Sequence, residues 1–367
     1  MVLRRSHRRA RALFDADDFA AARRELEPLA HESRPATRML GRIACMLGDH
    51  ATAEALLHPR RDAVTLALAH WRSGHFDRAR EIRGMPLTRL MTAFGEAPYR
   101  IDWHGEREAV LPFTQRTAWE LPTVEIEIDG RAVEAWIDTG GDALTLPHGF
   151  GLEPLAAFSG AAYAGGTGDG AYGRIESLRL GGVTVAGVPA VTAAFERPIV
   201  GVGLLSRFQP TVDYPAGRLV LRPRDAEPPD GAEVPFAFAA THLMVVRGSL
   251  AGRDFTWLVD SGLADEHGAG FTAPAATLAA AGIAVPETRP ERGRTGAGEP
   301  TLQLGRFDAP GLAVGPLVQD AAGLYGAFPP ALAKVDGVAI HGLVSHHFLR
   351  RYRWTLDFTR MTMRFGS

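Results

Sequence analysis

Disulfide bridges, a four-cysteine zinc site and a field of one charge sign are all missing from this chain of 367 residues. Its one cysteine, Cys45, has no partner for an internal bridge and fits the thiol usage of a reducing compartment, so a cytoplasmic location is expected. Forty Lys and Arg stand against 42 Asp and Glu, a formal charge of −2, which leaves no basic field to hold nucleic acid or an anionic membrane surface. Long apolar runs are lacking too. The longest apolar region, Phe271 to Pro286, is interrupted by Gly and Pro and falls short of the roughly 18–20 residues that cross a bilayer. The basic start, Met1 to Ala10, runs into Phe14-Asp-Ala-Asp-Asp18 rather than an apolar stretch with a cleavage site, so no secretory signal is read. What is present, 46% hydrophobic and 22% charged residues, is globular composition sufficient for two or three units.

Residues 10–84 carry helical periodicity: Leu13, Phe14, Leu26 and Leu29, then Leu40, Ile43, Ala44 and Leu47, then Leu66, Leu68, Ala69 and Trp71. Three fragments repeat inside it, Ala16-Asp-Asp-Phe-Ala-Ala-Ala22, Gly48-Asp-His-Ala-Thr-Ala53 and Gly74-His-Phe-Asp-Arg-Ala79. Each sets a turn residue ahead of a small helix-packing Ala. The turn positions Asp17, Gly48 and Gly74 lie 31 and 26 residues apart, so the segment resembles shortened tetratricopeptide-like helical hairpins. Such hairpins bury their apolar faces only by stacking on each other or on a following domain.

From about residue 85 the texture turns to β: Gly and Pro become frequent and apolar residues alternate with polar ones. This region repeats once in matching order. Pro112-Phe113 answers Pro235-Phe236, and the hairpin turn Asp129-Gly130 answers Ala251-Gly252-Arg253. Ala135-Trp-Ile-Asp138-Thr139-Gly140 answers Trp257-Leu-Val-Asp260-Ser261-Gly262, and the Gly-rich turn Thr167–Gly170 answers Thr295–Gly298. Both halves close on Leu-x-x-(aromatic)-x-x-x-(apolar)-Asp-(aromatic), from Leu205 to Asp213-Tyr214 and from Leu349 to Asp357-Phe358. The first acids lie 122 residues apart and the closing acids 144, so the second half carries insertions between those landmarks.

With two Asp-Thr/Ser-Gly motifs in matching halves, residues 109–366 resemble the pepsin and retropepsin superfamily of aspartic peptidases. The expected architecture is multidomain: an N-terminal all-α helical-repeat segment (1–85), a linker or leading strands (86–108), and an all-β, two-lobed acid-protease-like fold. Its first lobe is 109–222, its interlobe linker 223–231 and its second lobe 232–367. The resemblance implies that Asp138 and Asp260 are the catalytic pair, with Thr139, Gly140, Ser261 and Gly262 supporting their loops. Later apolar segments, Ile199-Val200-Gly201 and Leu343-Val344-Ser345, would brace each loop. Metal-free amide hydrolysis needs a base for water and an acid for the carbonyl oxygen, roles that two close carboxylates sharing one proton can divide.

The chain departs from the family pattern at Gly141 and Leu263, where a hydroxyl or Ala is usual, and at Ser345, where Gly is usual. Loss of a hydroxyl beside the carboxylates is expected to move the pair's working range toward neutral pH. The same departures leave open a catalytically silent relative that binds peptides or partner proteins. A helical-repeat scaffold stabilised by its β region is a further alternative. Gly166, Thr167 and Gly168 are candidates for a substrate-covering flap, with simple hairpin turns the alternative reading and Tyr163 and Tyr172 flanking as core or flap aromatics. The Gly run lacks the endings of a phosphate loop or dinucleotide fingerprint. His346 and His347, adjacent and read on a strand, would face opposite ways, so together with His341 they predict no metal site, and no cofactor is expected. Asp213 and Asp357 read as strand-end residues. Partners would be a peptide or unfolded-protein substrate and a protein held by the helical segment, with no nucleic acid and no membrane.

Overall fold

A computed structural model describes residues 2–30, 32–82, 97–117, 120–161, 167–293 and 299–366. It opens with three helical hairpins: α1 (Val2–Asp15) with α2 (Phe19–Leu26), α3 (Arg34–Met46) with α4 (His50–Leu56), and α5 (Ala63–Ser73) with α6 (Phe76–Glu81). The three repeated turn positions are all left-handed, with φ of 55° at Asp17, 75° at Gly48 and 81° at Gly74, which is why Gly recurs there. In the first two hairpins the next Asp caps the second helix: Asp18 accepts from the Ala21 N–H and Asp49 from the Thr52 N–H. His75 takes that place in the third and makes no side-chain cap bond.

The β region that follows contains two closed rings of six described strands with identical connectivity. In the first, Val183–Ala193 runs beside Leu144–Pro147, then Ile199–Val200, Arg131–Ile137, Thr123–Ile128 and Thr167–Leu180, which pairs back to Val183–Ala193. In the second, Leu317–Tyr325 is followed by Phe271–Thr272, Gly342–Val344, Arg253–Val259, Leu243–Leu250 and Thr301–Val314, which returns to Leu317–Tyr325. The parallel and antiparallel pairings fall at the same steps in both. Both hairpins entering the Asp loops turn through a residue of positive φ followed by Gly, Asp129-Gly130 and Ala251-Gly252, the geometry that matches strand twist.

A six-stranded antiparallel sheet joins the rings, in the order Ala232–Ala239, Thr362–Gly366, Arg353–Asp357, Phe208–Asp213, Arg218–Pro223, Ala109–Pro112. Its midline falls between Phe208–Asp213 and Arg353–Asp357, where Thr211 pairs Thr355 and their buried hydroxyls meet at 2.7 Å. The closing Asp residues sit here at strand ends. Asp213 bonds Arg218 and Asp357 bonds Arg360, so both are structural turn residues.

The helices do not stand apart from this body. Phe14, Phe19, Leu40 and Ile43 share one apolar cluster with Leu243, Leu258, Leu332, Val338 and Ile340 of the second half. Part of that seat, around 326–341, is one of the second-half insertions. Asp17 reaches across to accept the Thr256 hydroxyl at 2.5 Å, and Arg42 donates to the Asp336 carbonyl. The segment expected as linker or leading strands is partly a strand of the first half: Arg100–Asp102 pairs with Val183–Ala193, whereas 109–112 lies in the joining sheet. Among the described residues no helix is long and apolar enough to cross a membrane.

Candidate functional site

Each Asp-Thr/Ser-Gly motif leaves the end of a central ring strand, Arg131–Ile137 or Arg253–Val259, and is held by the neighbouring parallel strand. Asp138 N–H donates to the Val200 carbonyl at 3.2 Å and Asp260 N–H to that of Val344 at 2.9 Å. Within each loop the carboxylate accepts the N–H two residues on, Gly140 to Asp138 at 2.7 Å and Gly262 to Asp260 at 2.9 Å. Short apolar strands thus deliver each acid while its own turn fixes the side chain.

The loops interlock. Thr139 N–H donates to Ser261 Oγ and Ser261 N–H to Thr139 Oγ1, both at 2.9 Å. Thr139 Oγ1 in turn donates to the Val259 carbonyl and Ser261 Oγ to that of Ile137, both at 3.1 Å. Both side chains are 0% exposed, so these four bonds cross the junction out of reach of water. The glycines permit the approach. A Cβ on Gly140 would lie 2.6 Å from Asp260 Oδ1, and one on Gly262 only 2.2 Å from Asp138 Cγ. Each carboxyl therefore rests on the opposite loop's glycine, and the two face each other within hydrogen-bonding reach.

Both acids keep a partly exposed edge. Burial raises Asp138, opposed by the Gly140 N–H, the Asp260 hydrogen bond and the nearby His242. Asp260 is held well above the ordinary carboxylate range, first by burial and next by the Asp138 charge. The pair consequently retains a proton that isolated carboxylates would lose, and that proton belongs to the pair.

The three departures from the motif are accommodated locally. Gly141 leaves a tight space, a Cβ there meeting Ile199 Cγ2 at 3.2 Å, and Leu263 is partly buried against the cluster that holds the helices. Ser345 takes the place corresponding to Gly201, where a Cβ would strike the Gly141 and Ala143 carbonyls at 2.6 and 2.7 Å. The longer loop after Leu263 opens that space, and Ser345 Oγ fills it by donating to the Ala269 carbonyl at 2.5 Å and accepting the His347 N–H.

The flap candidates divide. Thr167 and Gly168 open the strand Thr167–Leu180, paired with Ala161 and Gly160, whereas Gly166 lies outside the described residues, as do Tyr163 and 295–298. Tyr172 lies further along that strand, opposite Ala156 and Val191. His346 and His347 are not on a strand: Ser345 caps a short helix, His346–Leu349, and both rings are buried. The three histidines have separate partners, His346 with the Tyr214 hydroxyl, His347 with the Asp265 carbonyl and His341 with the Thr256 N–H. One donor set does converge, Glu54, His70 and His75, within 4.8 Å of one another. The Glu54 carboxylate there is already engaged by both imidazoles, the Ser73 hydroxyl and Arg78.

Sequence reasoning missed His242. It sits in the turn before Leu243–Leu250, is buried, and brings Nε2 to 3.0 Å from the Gly140 carbonyl of the opposite loop. Its signal was absent because 102 residues separate the partners and the turn carries no motif.

A tetratricopeptide repeat model matches residues 6–28, 35–59 and 63–83, which coincide with the three hairpins. No curated protein matches the chain.

Proposed function

We propose that this chain is an aspartic endopeptidase of pepsin- or retropepsin-like, two-lobed fold, in which Asp138 and Asp260 activate water against a peptide bond. The observation that carries the proposal is the reciprocal Thr139/Ser261 lattice, which sets two acids face to face from equivalent loops of two equivalent rings. The ionised carboxylate of the pair takes a proton from water as the water oxygen attacks the carbonyl carbon, while the protonated partner gives its proton to the carbonyl oxygen. The tetrahedral diol then collapses as a proton passes to the amide nitrogen, and the C–N bond breaks. Two carboxyls on one small site supply acid and base without metal or covalent intermediate. Substrate would lie extended, since a flexible strand offers the carbonyl from both sides and hydrogen-bonds along a hairpin edge. The helical repeats supply a surface of a type that commonly holds protein partners, here fixed against the second ring.

The test is mass-spectrometric mapping of cuts in a diverse peptide mixture from mildly acid to neutral pH, with Asp138→Asn and Asp260→Asn as controls. Cleavage by the native chain that disappears in both variants supports the reading. Folded native protein that cuts nothing across that range overturns it.

A further inference from the structure

A cavity of about 450 Å³ opens beside the Asp138 loop, between the helical hairpins, the first ring and the turn that leads into Leu243–Leu250. Its wall includes Asp142, four residues beyond Asp138, and His242, which touches the Gly140 carbonyl. Three guanidinium groups line the same space, Arg72 from α5, Arg207 from just before the joining-sheet strand Phe208–Asp213 and Arg224 from the segment between rings.

Among the described residues those arginines form no ion pair, and the one carboxylate whose charge acts on Arg224, Asp357, is already paired with Arg360. Elsewhere arginines that bridge distant segments pair with carboxylates, as Arg38 does with Asp62 and Arg306 with Asp265. Among the described residues none of Arg72, Arg207 or Arg224 does. Their donors meet neutral carbonyls instead: Arg72 those of Ala240 and Thr241 at 3.0 and 2.7 Å, Arg224 that of Phe358 at 3.1 Å. Arg207 reaches only the Trp71 carbonyl at 3.4 Å, stacks over the Tyr99 ring, and keeps a buried Nε without a partner. These neutral carbonyls satisfy hydrogen bonds, and that of Trp71 at the end of α5 adds its helix dipole, but they do not cancel three like charges. Burial lowers Arg207 to about 10, aided by Arg224 and Arg72, which still leaves it protonated at neutral pH. The acid on the wall, Asp142, has a half-exposed side chain directed to His242.

We infer that this cavity binds a carboxylate of the peptide held at the dyad, so that substrates bearing an acidic group near the scissile bond are selected. The inference rests on the peptidase reading for the identity of the ligand. A planar carboxylate matches the guanidinium fork and would supply the missing counter-charge. That carboxylate has two sources, an internal Asp or Glu side chain or the peptide's own C-terminus.

The experiment is calorimetric binding to the full-length Asp260→Asn chain, which separates recognition from cutting. The probes are apolar decapeptides with one Glu or Gln scanned through each position, each made with a free and an amidated C-terminus. Tenfold or greater preference for Glu over Gln at one position assigns the side chain. The same preference for free acid over amide assigns the C-terminus. In either case the preference should fall with added salt and be lost in Arg207→Gln but partly kept in Arg207→Lys. Measurable but equal binding of acidic and neutral probes overturns the inference, as does no binding of either by an Asp260→Asn chain shown by circular dichroism to be folded, so a folding defect cannot mimic the result. If the native chain cuts nothing while the carboxylate preference persists, the peptidase reading fails and the carboxylate site stands.

Discussion

Replacing Thr139 by Val keeps its shape and removes one oxygen, and the loss can be worked from the four bonds at the loop junction. Thr139 Oγ1 accepts the Ser261 N–H and donates to the Val259 carbonyl, and no water reaches either group. A buried donor or acceptor left without a partner costs about 1–3 kcal/mol, so two of them place Thr139→Val roughly 2–6 kcal/mol below the parent. Ser261→Ala orphans the Thr139 N–H and the Ile137 carbonyl and should cost a similar amount. The double variant should lose less than the sum by about 1 kcal/mol or more, because either single change already loosens both loops. Urea unfolding at neutral pH, followed by far-ultraviolet circular dichroism and tryptophan fluorescence, measures all three. A Thr139→Val loss under about 0.5 kcal/mol would refute the claim that the hydroxyl is a buried tie between the two loops, and strict additivity would refute their mutual support.

Gly140→Ala should leave the fold largely intact yet displace the Asp260 carboxyl, whose Oδ1 lies 2.6 Å from the added Cβ; cleavage should fall at least a hundredfold with little change in melting temperature, and retained activity would contradict the close packing of the dyad. Because Asp260 is raised in the folded chain above the unfolded carboxylate value of about 4, its contribution to stability is full below that value and is lost as pH rises through the folded one. Asp260→Asn cannot ionise, so its melting temperature should decline less than the parent's from pH 4 to 8, and parallel profiles would count against the raised acid. Ser345→Gly restores the residue usual in the motif, yet it should destabilise by about 1–2 kcal/mol through loss of a cap and of the Ala269 bond. Thermal melts showing a gain would mean that the longer loop does not depend on the hydroxyl.

How far the sequence revealed this molecule depended on the range of the interactions involved. The three helical turns were legible because left-handed backbone imposes Gly or Asp at Asp17, Gly48 and Gly74, a local demand. The two Asp loops were legible because the halves repeat. Ser345 read as a defect, since the motif does not show that the loop after Leu263 had lengthened to receive the hydroxyl. His346 and His347 were misplaced on a strand because the Ser345 cap, which starts a helix there, competes with apolar patterning. The seat of the helices on the second ring, and the meeting of Arg72, Arg207 and Arg224, join residues far apart in the chain that carry no shared spacing.

The joining sheet imposes an order of events during synthesis. Phe208–Asp213 emerges from the ribosome with one edge paired to Arg218–Pro223, but its other partner, Arg353–Asp357, is made 144 residues later. At about 5–20 residues per second that edge waits on the order of ten seconds or more, a naked strand of fully buried residues in the finished protein. The nascent first half is therefore a natural client for a chaperone, and a message truncated before residue 353 would yield a chain with an open β edge rather than a smaller working unit.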